Sequence, residues 1–382
     1  MAGPLDGVAV IEFAGIGPGP FAGMVLADLG ADVLRVERHG SVEGISQAMT
    51  HDLLQRGKQS VGVELKHPEG VELALDLVER ADVLIEGYRP GVMERLGLGP
   101  DACLARNERL VYGRVTGWGQ DGPLAMRAGH DIDYVAAAGV LGLIGRVGDR
   151  PIPPLNLVGD FGGGGLLLAF GIVCALLVSR ASGKGQVVDA AMVDGAALLN
   201  TMMYGELAAG RWHEERGTNL IDSGAPFYEV YECADGRMVA VGALEDRFYQ
   251  QLMDVMEFPV GDFPDRFDRS QWPEMKRRFA DVFRRRTRDH WLHRAEGRDC
   301  CVAPVLSMSE VAQYPHNVWR RTFVEVAGVM QPAPAPRFST SVVGVPGRPC
   351  RPGENGGQAL ADWGIDTRRT RQLIAAGLVA TA

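Results

Sequence analysis

Val8-Ala9-Val10-Ile11-Glu12-Phe13 has the length and apolar content of a strand. The turn Gly15-Ile16-Gly17-Pro18-Gly19-Pro20 follows it, and Phe21 to Leu29 reads as an apolar helix. Ala31-Asp32-Val33-Leu34-Arg35-Val36-Glu37 is then a second strand. Further out, Pro68 to Ala81 reads as a helix carrying Leu73, Leu75, Leu77 and Val78. Asp82-Val83-Leu84-Ile85-Glu86 and Leu110-Val111-Tyr112-Gly113-Arg114-Val115 read as further strands. Strands that alternate with helices need crossover connections. The expected fold is therefore α/β, with a large doubly wound, Rossmann-like parallel sheet. Ligands on such sheets sit beyond the carboxyl ends of the strands.

The pattern changes after about Pro226. Tyr228-Glu229-Val230-Tyr231 and Met238-Val239-Ala240-Val241 flank Ala234-Asp235-Gly236, the signature of a hairpin. Charged helices are expected from Gln271 through Arg286 and from Asp289 to Ala295. Pro332-Ala333-Pro334-Ala335-Pro336 reads as a stiff linker, and a last helix near Arg368 to Ala376 closes the chain. The expected organisation is a large domain over 1–190, a linking segment over 191–227 and a smaller α+β domain over 228–321. A linker over 322–336 and a C-terminal segment over 337–382 that returns to the large domain complete it.

Composition narrows the function. A net charge of −9 over 382 residues argues against wholesale nucleic-acid binding, while leaving room for anionic ligands held by local Arg and Lys. The six cysteines form no CxxC pair and no zinc spacing, which suits a reducing compartment, and Cys300-Cys301 reads as part of a buried strand. The segment Met1 to Asp6 lacks a basic region and an apolar signal core, so a cytoplasmic location is expected. Phe161 to Val178 is long and apolar enough to raise the membrane question. The consecutive Gly162 to Gly165 read as a loop and Leu166 to Val178 as a buried helix, so no membrane span is expected.

The turn at Gly15–Pro20 imitates a dinucleotide fingerprint, with Glu37 ending the next strand. Proline occupies position 20, where a third glycine would let the helix pack closely, and Pro18 removes a backbone N–H. An NAD site is therefore not expected. Two readings of the turn stay open: a tight turn alone, or one that shapes an acyl pocket. Arg35, Arg38, Arg56, Lys58, Lys66, Arg89 and Arg95 fall near expected strand ends or loops. A solvated surface accounts for most such residues; phosphate recognition is the alternative. Ser182-Gly183-Lys184-Gly185 is not a P-loop, and there is no Gly-x-Ser-x-Gly elbow. Gly129-His130-Asp131-Ile132-Asp133-Tyr134 and Asn156-Leu157-Val158-Gly159-Asp160 place an imidazole and a carboxylate at the edges of apolar segments. Two such groups could move a proton on and off carbon from opposite faces, although a lone His beside an apolar run is usually structural.

These motifs, taken with Ala14 to Pro20, Gly87-Tyr88-Arg89-Pro90-Gly91, Glu94-Arg95-Leu96-Gly97, Thr116-Gly117-Trp118-Gly119-Gln120, Pro154 to Asp160 and Gly185-Gln186-Val187-Val188-Asp189, give the chain a likeness. It resembles the α-methylacyl-CoA racemases of the class III (family III) CoA-transferase superfamily over nearly its whole length. The resemblance implies an isomerase of fatty-acid metabolism, working as an interlocked homodimer with shared active sites on acyl-CoA thioesters. It implies no separate cofactor, CoA being part of the substrate, and no metal. His130 and Asp160 match the acid/base pair, and Glu245 matches an acid that hydrogen-bonds the catalytic His. Asp131, through its N–H, with Tyr134 and Asn156, matches the surroundings of the thioester oxygen. Arg38, Val63, Lys66, Gly87, Tyr88, Arg89, Arg95, Gly129, Ile132 and Asp133 fall where the family holds CoA. Asp133 stands where members often carry Asn, a possible extra negative charge beside His130. The alternatives are CoA transfer with Asp160 as a nucleophile and, more distantly, an NAD-dependent oxidoreductase.

Overall fold

A computed structural model describes residues 3–39, 51–258, 261 and 265–380. Six parallel strands carry the first part of the chain: β1 (Ala9–Phe13), β2 (Asp32–Arg38), β3 (Gln59–Val63), β4 (Val83–Glu86), β5 (Val111–Thr116) and β6 (Gln186–Ala191). β7 (Tyr228–Glu232), β8 (Met238–Gly242) and β9 (Val302–Pro304) form a separate antiparallel sheet. β10 (Phe323–Val326) and β11 (Val329–Pro332) pair as a hairpin, and β12 (Val379–Ala380) lies antiparallel on β3. The large sheet runs β12-β3-β2-β1-β4-β5-β6. Its order reverses between β1 and β4, which opens a crevice at their carboxyl ends. Leu34, Leu84 and Tyr112 pack one face with the helix Pro68–Val78, while Val10, Val83 and Ile85 pack the other with the helix Pro18–Asp28.

Two compact units divide the chain. One holds Met1–Ala138, Leu155–Leu199 and Pro315–Ala382; the other holds Gly139–Pro154 and Asn200–Tyr314. The second unit has its own aromatic core, in which Tyr231 stacks on Phe283 at 5.0 Å and Phe227 meets Trp272 edge-on. Its hairpin turns at Gly236, whose φ of 73° suits glycine. The segment read as a linker over 322–336 contains the β10–β11 hairpin, and Arg56 binds the Gln331 side chain at 3.0 Å and the Pro332 carbonyl at 2.7 Å. That fastens the segment to the first unit. Cys300 and Cys301 do not form a buried strand: β9 begins after them, Cys300 is buried, and Cys301 is exposed with a φ of 51°.

The glycine run is not a loop. Leu157–Leu166 winds as a π-helix and continues into the α-helix Leu167–Ser182. A side chain at Gly163 would stand 2.7 Å from the Ala196 nitrogen, and one at Gly165 2.6 Å from the Pro18 carbonyl. The glycines therefore let this helix touch the backbones of the helices Met192–Leu199 and Pro18–Asp28, an approach that any Cβ would block. Among the described residues, Leu157–Ser182 is one helical run long and apolar enough to cross a membrane, and 44% of its most apolar window is buried. Leu166, Phe170, Leu177 and Val178 are exposed, so the buried helix expected over Leu166–Val178 is buried along one side only.

Candidate active site

The turn after β1 is shaped around Asp160. Gly17 adopts φ 70° and precedes the helix Pro18–Asp28, whose first residue is a proline with no N–H to satisfy. A Cβ on Gly17 would lie 3.1 Å from Asp160 Oδ2. Beside this turn an open cavity of about 620 Å³ lies at the carboxyl ends of β1, β4 and β5. Gly87, Tyr88, Arg89, Gly129, His130, Tyr134, Asn156 and Asp160 all line it. Trp118 meets the Tyr134 ring edge-on at 4.9 Å. A Cβ on Gly129 would press on that ring at 2.7 Å, and one on Gly117 would overlap it, so both glycines make room for Tyr134.

His130 immediately precedes the helix Asp131–Ala137, and its backbone N–H donates to Asp133 Oδ2 at 2.9 Å. Asp133, expected as a stray charge, thus closes the start of the helix on the His130 backbone. Asp131 is buried, and its Oδ1 accepts the Asp160 N–H at 2.7 Å. Asn156 Nδ2 donates to Asp160 Oδ2 at 3.3 Å. The Asp160 carboxyl is held above the ordinary carboxylate range. Burial is the main cause, and the nearby Asp131 charge adds to it, against the lowering effects of the Asn156 hydrogen bond and of His130. Burial likewise lifts the Tyr134 phenol, with Asp160 and Asp133 adding to it. The Tyr88 phenol, pushed up to about 12 chiefly by burial, stays neutral and donates to the Ala14 carbonyl at 2.9 Å.

Residues 5–355 match the model of CoA-transferase family III. The chain belongs to that family. It is 44% identical over 371 residues to the alpha-methylacyl-CoA racemase of Mus musculus, a match covering 97% of this chain and 96% of that protein. It is 45% identical over 333 residues to the Homo sapiens protein of the same name, covering 87% and 86%. A CAIB/BAIF family protein from Brucella suis superposes with a TM-score of 0.82 at 26% identity, over 95% of this chain and all of that one.

The remaining residues matched to family III by sequence lie apart from the cavity lining. Arg38 and Val63 end the neighbouring strands β2 and β3; Arg38 is exposed, and the buried Val63 carbonyl accepts the His39 and Leu65 N–H groups. Lys66 is exposed in the turn beyond β3, and Arg95 is exposed at the end of the helix Val92–Arg95. All four stand at the same carboxyl edge of the sheet as the cavity. Ile132 is exposed. Glu245 belongs to the second unit, where it precedes the helix Asp246–Met256.

Arg35, Arg56 and Lys58 are neither solvated nor free for phosphate. Arg35 binds Glu12 at 2.7 Å and Glu37 at 2.6 Å, Lys58 binds Glu12 at 2.6 Å, and Arg56 binds Asp28 at 2.5 Å. Gly23 makes this possible, since a Cβ there would fall on the Glu12 carboxylate. Sequence reasoning missed the Asp131 carboxylate and the contact between Gly17 and Asp160. The conjunction of a glycine-rich turn after β1 with Gly159-Asp160 was the only trace of that contact.

Proposed function

We propose that this chain is an α-methylacyl-CoA racemase, interconverting (2R)- and (2S)-2-methylacyl-CoA thioesters by 1,1-proton transfer through an enolate. The observation that carries this is the presence of His130, just before one helix, and Asp160, within another, on the wall of one cavity at the reversal point of the sheet. A thioester acidifies its α-carbon. One of the two groups removes the α-proton while the other, protonated, delivers a proton to the opposite face; the reverse direction swaps the roles. An acid/base pair of this kind must start in opposite protonation states. The raised Asp160 carboxyl suits the acid role in one direction. The Asp131 N–H, first of its helix, is the donor assigned to the enolate oxygen, with Tyr134 and Asn156 beside it.

Arg89, on the cavity wall, takes the anionic part of CoA, with Arg38, Lys66 and Arg95 along the same edge. CoA enters as part of the substrate and no separate cofactor or metal takes part. The protein works as a homodimer in which Glu245 of the partner chain orients His130. Purified mixed dimers of His130→Ala and Glu245→Gln chains should recover one intact site, and no recovery would remove the sharing.

CoA transfer through an Asp160 anhydride is the second reading. His130 on the cavity wall disfavours it, because transfer needs a carboxylate but no second base. Incubation of one epimer of a 2-methylacyl-CoA in deuterated water, without an acceptor acid, separates the two. Racemisation incorporates deuterium at C2 and drifts toward both epimers. CoA movement to a free acid with no C2 exchange across a broad acyl panel would overturn the racemase reading.

A further inference from the structure

We propose that Asp131 is a positioning residue for the proton-transfer pair: its carboxylate caps the Asp160 backbone and so sets where the Asp160 carboxyl stands relative to His130. The inference rests on the racemase reading of this site. In the π-helix Leu157–Leu166 the Phe161 N–H already reaches the Asn156 carbonyl at 3.2 Å, five residues back. Asp160, one residue earlier, donates its N–H out of the helix to Asp131 Oδ1 at 2.7 Å. A helix start leaves such donors unpaired, and a carboxylate is a strong acceptor for them. Asp131 is 8% exposed, so the bond is shielded from water. Gly159 makes room for it, since a Cβ there would lie 2.5 Å from the same oxygen. Because His130 adjoins Asp131 in the chain, one residue ties both proton carriers together.

The same contact sets a negative charge beside the Asp160 carboxyl. The ionisable groups acting most on Asp160 are His130 and Asp131, with the Tyr134 phenol beyond them, and Arg89, Arg127, Asp52 and Tyr88 stand on the same cavity wall. Asn156, on its own element, is neutral. The helix Pro18–Asp28 approaches through Gly17 and Pro18, and the acid of the helix Met192–Leu199, Asp194, acts on Asp189. Asp131 is thus the neighbour whose charge works to hold the Asp160 proton.

The test compares wild type with Asp131→Ala and Asp131→Asn. Asp131→Ala should lower kcat by about 10²-fold, the effect of a reacting group displaced by an ångström, with KM near wild type. Asp131→Asn keeps an acceptor oxygen, so most of that loss should return. It removes the charge, so the pH limb set by Asp160 should move to lower pH in both reaction directions. ¹³C titration of the Asp carboxyls, with the Asp160 signal identified by its loss in Asp160→Asn, should show the same downward move without any turnover. A full kcat in Asp131→Ala, or an Asp160 titration unmoved in Asp131→Asn, overturns the proposal. Absence of C2 exchange in the wild type would instead sink the racemase reading, while the carboxyl titration would still decide whether Asp131 governs Asp160.

Discussion

Two clusters of ionisable groups lie in the first unit, and they are built oppositely. Under the glycine-rich turn, Glu12 and Glu37 face Arg35 and Lys58, and all four are at most 6% exposed. Two negative charges meet two positive ones, and the Lys58 ammonium also reaches the Pro20 carbonyl at 2.9 Å. At the cavity, Asp133 accepts the His130 backbone N–H, Asp131 accepts the Asp160 backbone N–H, and the Asp160 carboxyl opens on the cavity that His130 also lines. Paired charges hold each other in place and fix the turn. Burial, with a second carboxylate beside it, pushes the proton affinity of Asp160 upward, and the open space leaves that carboxyl available to a ligand. The lesson is that burial alone does not mark a site; an uncompensated charge facing a cavity does.

The largest effect should come from the cavity side. His130→Ala and Asp160→Asn should each slow epimerisation by about 10²–10⁴-fold, the usual contribution of a general acid or base, with thioester binding retained. Chiral separation of the product thioesters gives the rate, and near-normal turnover in either variant would break the two-base assignment. Glu245→Gln should cost less, because its proposed role is to orient the imidazole.

The paired cluster should answer in stability instead. Glu12→Gln strands Lys58 and Arg35 in a buried setting, and removing one partner of such a pair costs about 3–5 kcal/mol. Urea unfolding measures it. The protein that remains folded should keep its kcat. If Glu12→Gln is as stable as wild type but inactive, the cluster belongs to the chemistry and the comparison fails.

Arginines divide along the same line. Arg89→Ala, on the cavity wall, should raise KM for the acyl-CoA about tenfold, near 1.4 kcal/mol, with kcat little changed. Arg38→Ala and Arg95→Ala should do the same more weakly. Unchanged KM in all three would detach this edge from CoA.

The fold was legible where apolar residues recur between turn signals, as in β1, β2, β4 and β5. β3 was hidden because Gln59, Ser60 and Gly62 dilute its apolar signal, yet its burial is nearly complete. The glycine run was misread because glycine usually marks loops; here it marks contact between backbones. His130 and Asp160 stood out through the motifs of a family, not through spacing. The Asp131 carboxylate was not legible at all, since its bond to Asp160 spans 29 residues and exists only once two helices pack.

The smallest effect concerns stability at the cavity, and its sign tests whether the site is strained for function. The folded-state pKa of Asp160 lies above its ordinary value of 3.8, mainly through burial. Above that folded pKa the ionised carboxyl is disfavoured in the native state and welcome in the unfolded one, so it lowers stability. As the pH falls through the folded pKa, the native chain takes up the proton first and the penalty fades; below the unfolded value it is gone. Asp160→Asn should therefore melt slightly higher than wild type at neutral pH, and the difference should close on acidification. The rise is small because the carboxyl is only half-buried and water screens the remainder. Melting curves of both proteins across the acidic range decide it. A variant less stable than wild type at neutral pH, with the gap widening as the pH rises, would mean that the ionised carboxylate is satisfied by its neighbours, and the contrast with the paired cluster would disappear.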